Sequence, residues 1–474
     1  MARPKFVLLP AHSPEAFEPY LAAADMEHVR AAAARARAEF EGRAIWHVSS
    51  TLRGGGVAEM LRSLLPYVRG AGIDTRWVVL REDPWFFRLT KRLHNNLHED
   101  RGDGGALGEP ERAVYEKTLW RTAGQLRSLI RAGDVVFLHD PQTVGLVRDL
   151  QATGARIIWR CHVGVDRPGE MALRAQRFLR RYVEMADLCV FSREDLIWPG
   201  LDRERCRVMA PSLDPFSPKN QDLDARTVSA ILTVVGLEGD DAGRPAAFRR
   251  ADGSPGRVER GAELVQDDPI PPGAKVVAQV SRWDRLKDPD GLVECLAGEL
   301  AAAESVHLLL AGPDPDAVAD DPEGALVWSE VGAHRRVLPD PIRRRVHLAG
   351  LPMADLDENG AVVNAIQRRA DVVVQKSLAE AFGLTVAEAM WKGRPVVGSN
   401  VGGIAEQIVD GESGLLVDPR DPRALARAIL DLVGDPARAE RIGAAAHERV
   451  RRHYLGAVRL AEYGDLLAAL EAAD

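Results

Sequence analysis

The chain has 474 residues, enough for two or three domains of ordinary size and for a sizeable core in either half. Hydrophobic residues at 46% and charged residues at 28% suit a soluble globular protein, and a net charge of −8, from 62 basic and 70 acidic residues, has the wrong sign for a polyanion binder, so no nucleic-acid partner is expected. The four cysteines, Cys161, Cys189, Cys206 and Cys295, form no CxxC pair and no disulfide framework, which disfavours a zinc knuckle and fits a reducing compartment.

The first residues, MARPKFVLLPAHSPEAF, hold a brief apolar run broken at Pro10, too short for a signal peptide. No stretch approaches the ~20 apolar residues of a membrane span, so a cytoplasmic protein without a membrane partner is expected. Residues 19–40 read as a helix. Short apolar runs then end in polar or glycine-rich turns: AIWHVSS (44–50), DVVFLHD (134–140), RIIWRCH (156–162) and DLCVFS (187–192), with helical stretches at 57–69 and 111–131 between them. This βαβα alternation predicts a parallel sheet covered on both faces. The proline-rich segment 211–220 reads as the inter-domain linker. A second series follows in VVAQVSR (276–282), VHLLLAG (306–312), RVHLAG (345–350), DVVVQKS (371–377), PVVGSN (395–400) and GLLV (414–417), with helices clearest at 362–370, 384–392 and 422–433. Residues 238–273, rich in Gly, Arg, Asp and Pro, read as an inserted exposed loop, and 313–343 as a second polar insertion.

Several motifs sit where such folds place ligands. In STLRGGGVAEML (50–61) a strand runs into three glycines and a helix, so Gly54, Gly55 and Gly56 either lie against a phosphate or sugar at a helix N-terminus or merely form a tight turn. His139 and Asp140 follow the run DVVFL, and His162 follows RIIWRC. Carboxyl ends of parallel strands line the crevice, so Asp140 could hold an acceptor hydroxyl and His162 a hexose, a structural histidine being the alternative. In SRWDRLKD (281–288), Arg282 and Lys287 follow a strand and could stabilise a leaving diphosphate, surface solvation being the bland reading.

The strongest segment is KSLAEAFGLTVAEAMWKGRPVVGSNVGG (376–403). On one continuous helix Glu380 and Glu388 would lie about 12 Å apart along the axis and about 80° apart in direction, which excludes a catalytic dyad. Gly383 and Thr385 instead place a helix start between them. Glu380 then lies on a loop, Glu388 one turn inside the helix, and the backbone N–H groups of Gly383, Leu384 and Thr385 would face a phosphate. One carboxylate would grip sugar hydroxyls and the other a ribose diol. The acidic pairs Asp314/Asp316 and Asp288/Asp290 read as turns, and no metal site or other cofactor is expected.

The spacing from Glu380 to Glu388, with FGLTVAEAM inside and RPVVG after it, resembles the signature of family-four retaining glycosyltransferases. Arg282 and Lys287 match that family's diphosphate-binding pair. Within it, HVSSTLRGGGVAEMLRSLLP, WFFRLTKRLHNNLH, FLHDPQ, WRCH and PSLDPFSPKN are similar to the trehalose glycosyltransferring synthases. The resemblance implies an α/β GT-B fold, two Rossmann-like doubly wound parallel-sheet domains facing a central cleft. Residues 1–215 would form the acceptor-side domain and 216–454 the nucleotide-sugar domain, with a C-terminal helix at 455–474 packing back on the first. It also implies the substrates: nucleotide-diphosphate-glucose and glucose, joined into trehalose with the anomeric configuration retained and no metal required. By the same resemblance Arg282, Lys287, Glu380, His162 and Asp140 would be catalytic, and Gly55, Gly56, Arg282, Lys287, Gly383, Leu384, Thr385 and Glu388 would bind the donor. A sugar-phosphate acceptor, a trehalose phosphorylase and a non-catalytic nucleotide-sugar-binding scaffold are the alternatives. The oligomeric state stays open, a homodimer being the commonest assembly.

Overall fold

The computed structural model describes residues 4–52, 56–239, 245–317 and 322–471. The chain divides into two compact units, the first Met1–Ser212 with Tyr454–Asp474 and the second Leu213–His453.

The first unit is built on a seven-stranded sheet of β1 (Lys5–Val7), β2 (Ile45–Ser49), β3 (Thr75–Val79), β4 (Val135–His139), β5 (Arg156–Cys161), β6 (Leu188–Phe191) and β7 (Cys206–Val208). Its order is β1-β3-β2-β4-β5-β6-β7, parallel throughout except for the antiparallel edge strand β1. Every residue of β2 and β4 is buried, as continuous apolar runs require in a parallel sheet covered on both faces. From β2 the chain moves outward to β3 and returns on the other side at β4. The carboxyl ends of β2 and β4 therefore flank the topological switch point, where such sheets bind ligands.

The C-terminal helix Gly456–Glu471 packs on the helices Ala23–Glu39 and Gly56–Gly70. Gly464 permits the close approach, since a Cβ there would lie 3.1 Å from Ala32 Cβ. That proximity offsets the ~1 kcal/mol that an interior helical glycine costs. Arg35 pairs with Asp465 at 2.8 Å, and Arg156 Nη2 donates to the Leu470 carbonyl at 3.1 Å. The helix read at 19–40 begins at Ala23, after a 3-10 turn over Pro14–Tyr20, and the one read at 111–131 runs Glu109–Leu126.

The second unit repeats the plan. Its strands are a hairpin of β8 (Ala247–Arg249) and β9 (Pro255–Arg257), then β10 (Glu263–Val265), β11 (Lys275–Val280), β12 (Val306–Pro313), β13 (Val346–Leu351), β14 (Val372–Gln375), β15 (Val396–Ser399) and β16 (Leu415–Val417). The main sheet runs β10-β13-β12-β11-β14-β15-β16, with β10 antiparallel. Its switch point lies between β11 and β14.

Two expectations are corrected here. Within the stretch 238–273, the described residues 245–273 are not simply an exposed loop: they supply the β8–β9 hairpin and the edge strand β10. Glu358, 1% exposed, fastens the stretch by accepting the N–H groups of Glu259 and Arg260 at 2.7 and 2.8 Å. The three-residue strands of this stretch lack the apolar run that marks β16 in GLLV, and β13, the partner of β10, lies some eighty residues away, about the reach that only tertiary packing supplies. The second polar insertion, 313–343, holds the helices Pro322–Val337 and Asp340–Arg343.

Candidate functional site

In the second unit the ends of β11 and β14 are stitched by one buried side chain. Gln279, at the penultimate position of β11, accepts the Lys376 N–H at 2.8 Å and donates to the Lys287 carbonyl at 2.9 Å. The Leu378 N–H donates to the Leu286 carbonyl at 2.7 Å. Asp284 caps the turn Arg285–Lys287 by accepting the Leu286 N–H at 2.8 Å and holds Arg282 Nη2 at 3.0 Å. The outcome is that Lys287 Nζ pairs with the Glu380 carboxylate, which also takes Ser377 Oγ at 3.5 Å. Both side chains of the pair are 14% exposed. Beside them, Lys376 pairs with Asp288, a residue held at φ 45°.

The helix Leu384–Trp391 starts between the two glutamates. Gly383 forms its N-cap at φ 87°, a backbone state that disfavours any side chain, and a Cβ there would press on Glu380 Cγ at 3.1 Å. The Gly403 N–H donates to the Glu380 carbonyl at 3.1 Å, so the following helix Gly402–Gln407 pins the loop. Thr385 Oγ1 donates to Gln375 Oε1 at 2.9 Å, which ties the helix start to the end of β14. The first N–H groups of a helix lack intrahelical acceptors, so this start carries partial positive charge close to Glu380 and its partner Lys287.

Glu388 does not join the Lys287–Glu380 pair. Its side chain is 2% exposed, and its Oε1 lies 3.2 Å from Lys219 Nζ. Lys219 belongs to the segment read as a linker. From Leu213 that segment is part of the second unit, where Trp391 Nε1 donates to the Asn220 carbonyl at 3.1 Å and Lys392 Nζ to Asn220 Oδ1 at 3.0 Å.

In the first unit Asp140 stands one residue beyond β4 at φ 62°, a left-handed conformation that Asp tolerates better than most residues. Its N–H donates to the Arg160 carbonyl at 2.9 Å, and its own carbonyl accepts Trp159 Nε1 at 3.2 Å. Asp140 Oδ1 accepts the His162 N–H at 2.7 Å, so the ends of β4 and β5 are locked together. Burial pushes the Asp140 carboxyl up to about 7, against the opposing pull of the His162 N–H and the Arg160 guanidinium. Burial, assisted by Arg160, holds His162 well below the usual imidazole range. Of the glycine loop, Gly54 and Gly55 lie outside the described residues, and Gly56 opens the helix Gly56–Gly70. Among the described residues no cluster of three or more His, Cys, Asp or Glu is arranged to hold a metal ion, and no helix is long and apolar enough to cross a membrane.

A family model described as the trehalose synthase N-terminal domain matches residues 47–197, and one described as glycosyl transferases group 1 matches 355–449. The trehalose synthase of Pyrococcus horikoshii is 34% identical over 433 residues, 91% of each chain. The chain belongs to the trehalose synthase family of glycosyltransferases. A trehalose phosphorylase of Pleurotus pulmonarius is 26% identical over 414 residues, 82% of this chain and 52% of the fungal one. The fold of this trehalose synthase relative is shared with a sucrose-phosphate synthase from Thermosynechococcus elongatus, at TM-score 0.62 and 19% identity over 91% of this chain and 100% of the other. The architecture is thus GT-B, two Rossmann-like units, as the motifs implied.

Two lysines of the second unit escaped the sequence reading. Lys376 obeys the rule that singled out Arg282, standing just past a parallel strand, and could have been found. Lys219 could not, because nothing local marks a lysine in a proline-rich stretch as the partner of a glutamate 169 positions later.

Proposed function

We propose that the chain is a retaining glucosyltransferase that makes trehalose from nucleotide-diphosphate-glucose and glucose. The observation that carries this reading is the Lys287–Glu380 pair next to a helix start at the switch point of the second unit's sheet, with Arg282 following the same strand as Lys287. Family membership supports the class of reaction.

In this reading the bond from the anomeric carbon to the donor phosphate lengthens into an oxocarbenium-like state. The acceptor hydroxyl attacks from the same face, and the departing phosphate oxygen takes its proton. No protein nucleophile is required. Lys287, Arg282 and the N–H groups around Gly383, Leu384 and Thr385 stabilise the charge that gathers on the diphosphate. Glu380 grips hydroxyls of the transferred sugar, with Lys287 orienting its carboxylate. Ribose falls to Glu388, a carboxylate already ion-paired with Lys219. Asp140 and His162 take the acceptor side.

A panel of nucleotide-glucose donors, offered with glucose and with glucose 6-phosphate, tests the assignment. A non-reducing disaccharide from free glucose is the expected product, and exclusive use of the sugar phosphate would reassign the acceptor. The similarity to trehalose phosphorylases keeps a second reading in view: release of glucose 1-phosphate from trehalose in inorganic phosphate would favour it. Because side chains and backbone supply the positive charge, EDTA is expected to leave turnover largely intact. Complete loss reversed by magnesium would contradict that.

A further inference from the structure

One buried cluster of the first unit runs inward from His162, and its other three members have no part in this chemistry. Tyr463 Oη lies 2.9 Å from His47 Nε2, His47 Nδ1 lies 3.0 Å from His139 Nε2, and His139 Nδ1 lies 3.1 Å from His162 Nε2. The four side chains come from the C-terminal helix, β2, β4 and the residue after β5, and they form a continuous line of hydrogen-bonding atoms. Phe137 stacks on both His47 and Tyr463, with ring centroids 4.6 and 5.2 Å apart, and His139 stacks on His162 at 5.4 Å. Tyr463, His47 and His139 are each 1% exposed, whereas His162 is only partly buried.

The line has a direction. A neutral imidazole donates from one nitrogen and accepts at the other. Among the described residues, His47 Nε2 is the partner within hydrogen-bond reach of the Tyr463 hydroxyl. Were His47 to donate to Tyr463, the phenol proton would point into the apolar core unmade. Tyr463 therefore donates to His47 Nε2, which places the His47 proton on Nδ1. That proton goes to His139 Nε2, which places the next proton on His139 Nδ1, and this one goes to His162 Nε2. The last free position is His162 Nδ1–H.

We infer that Tyr463 is a positioning residue that sets the tautomer of His47, His139 and His162, so that His162 presents an N–H donor at the carboxyl edge of the sheet. A ligand atom met there must accept a hydrogen bond, as a sugar hydroxyl or ring oxygen does, and His162 Nδ1 cannot act as a base. Burial keeps the three imidazoles neutral, pushing His47 down to about 3, and the Arg160 guanidinium adds repulsion to each. Asp140 is the other titratable group at this end of the line. The second unit contains a similar device. There His307 Nδ1 lies 3.0 Å from His347 Nε2, and His347 Nδ1 lies 3.0 Å from Gln266 Oε1, whose amide is oriented by donating to the Gly236 carbonyl.

The kinetic part of this inference rests on the acceptor-side reading of His162; the tautomer part does not. The test uses full-length protein with 15N-labelled histidine. Wild type is expected to show His162 protonated at Nδ1. Tyr463→Phe keeps the ring stack but removes the donor, so His162 is expected to populate the Nε2–H form and turnover to fall about 10-fold, the lower end of the loss seen when the partner behind a metal-bound histidine is removed. Leu467→Ala, on the same helix and fully buried, should lower the melting temperature without changing the tautomer. A wild-type His162 protonated at Nε2, or a tautomer unmoved by Tyr463→Phe, overturns the inference. Should wild type fail to transfer glucose, the acceptor reading falls, and the nitrogen spectra still decide the relay.

Discussion

Lys287→Ala is expected to lower turnover about 10²–10³-fold, or ~3–4 kcal/mol of transition-state stabilisation, while the protein stays folded. The lysine reaches Glu380 across the ends of two adjacent strands, and both side chains keep some exposure. An ion pair this far from full exposure falls between a surface pair, worth ~0–1 kcal/mol, and a buried one, so its removal should cost on the order of 1–3 kcal/mol, less than the total stability of a folded domain. The kinetic loss is larger because negative charge accumulates on the diphosphate only as the glycosidic bond breaks. For the same reason kcat should fall more than KM rises. Arg282→Ala should behave alike, with a smaller effect since its side chain is 37% exposed and already shared with Asp284. Steady-state kinetics with melting curves check both, and near-wild-type turnover in the two variants would remove the assignment.

Asp140→Asn is expected to flatten the dependence of stability on pH between about 4 and 8. In the folded chain, desolvation raises the Asp140 carboxyl to about 7, whereas an unfolded aspartate ionises near ~3.9. Between those values the native state holds a proton that the unfolded state has released. Stability therefore falls as pH rises through this window, by an amount on the order of 4 kcal/mol once the folded carboxyl has ionised. Asparagine keeps an oxygen for the His162 N–H, tolerates φ 62°, and never ionises. The variant should be more stable than wild type at pH 8 and similar near pH 4, read from urea unfolding at the two values. Parallel pH profiles for the two proteins would show that Asp140 is ionised throughout. Turnover is expected to suffer in the opposite sense, since the carboxylate assigned to the acceptor is gone.

The strands that hold both clusters could be read from the chain because parallel strands buried on two faces are nearly continuous apolar runs, as IWHVS and VVFLH are. The helix start between Glu380 and Glu388 was equally plain, since Gly383 sits where the backbone must turn left-handed. The β8–β9 hairpin and the edge strand β10 were not, because these short strands hold no continuous apolar run, and the partner of β10 lies some eighty residues along the chain. Glu388 shows a different limit. Its place one turn into the helix follows from spacing, but the Lys219 that meets it comes from a stretch whose prolines suggested only a linker.

By itself the sequence determined two doubly wound sheets, the polar residues at their strand ends and the family to which those residues point, since each follows from local pattern: burial period, glycine placement and short motifs. The tertiary structure alone decided who meets whom. Lys287 reaches Glu380 because Gln279 binds both loops, and Tyr463 directs three histidines because the final helix returns to the first unit. Such partners are chosen by packing among residues distant in the chain, and no local pattern records that choice.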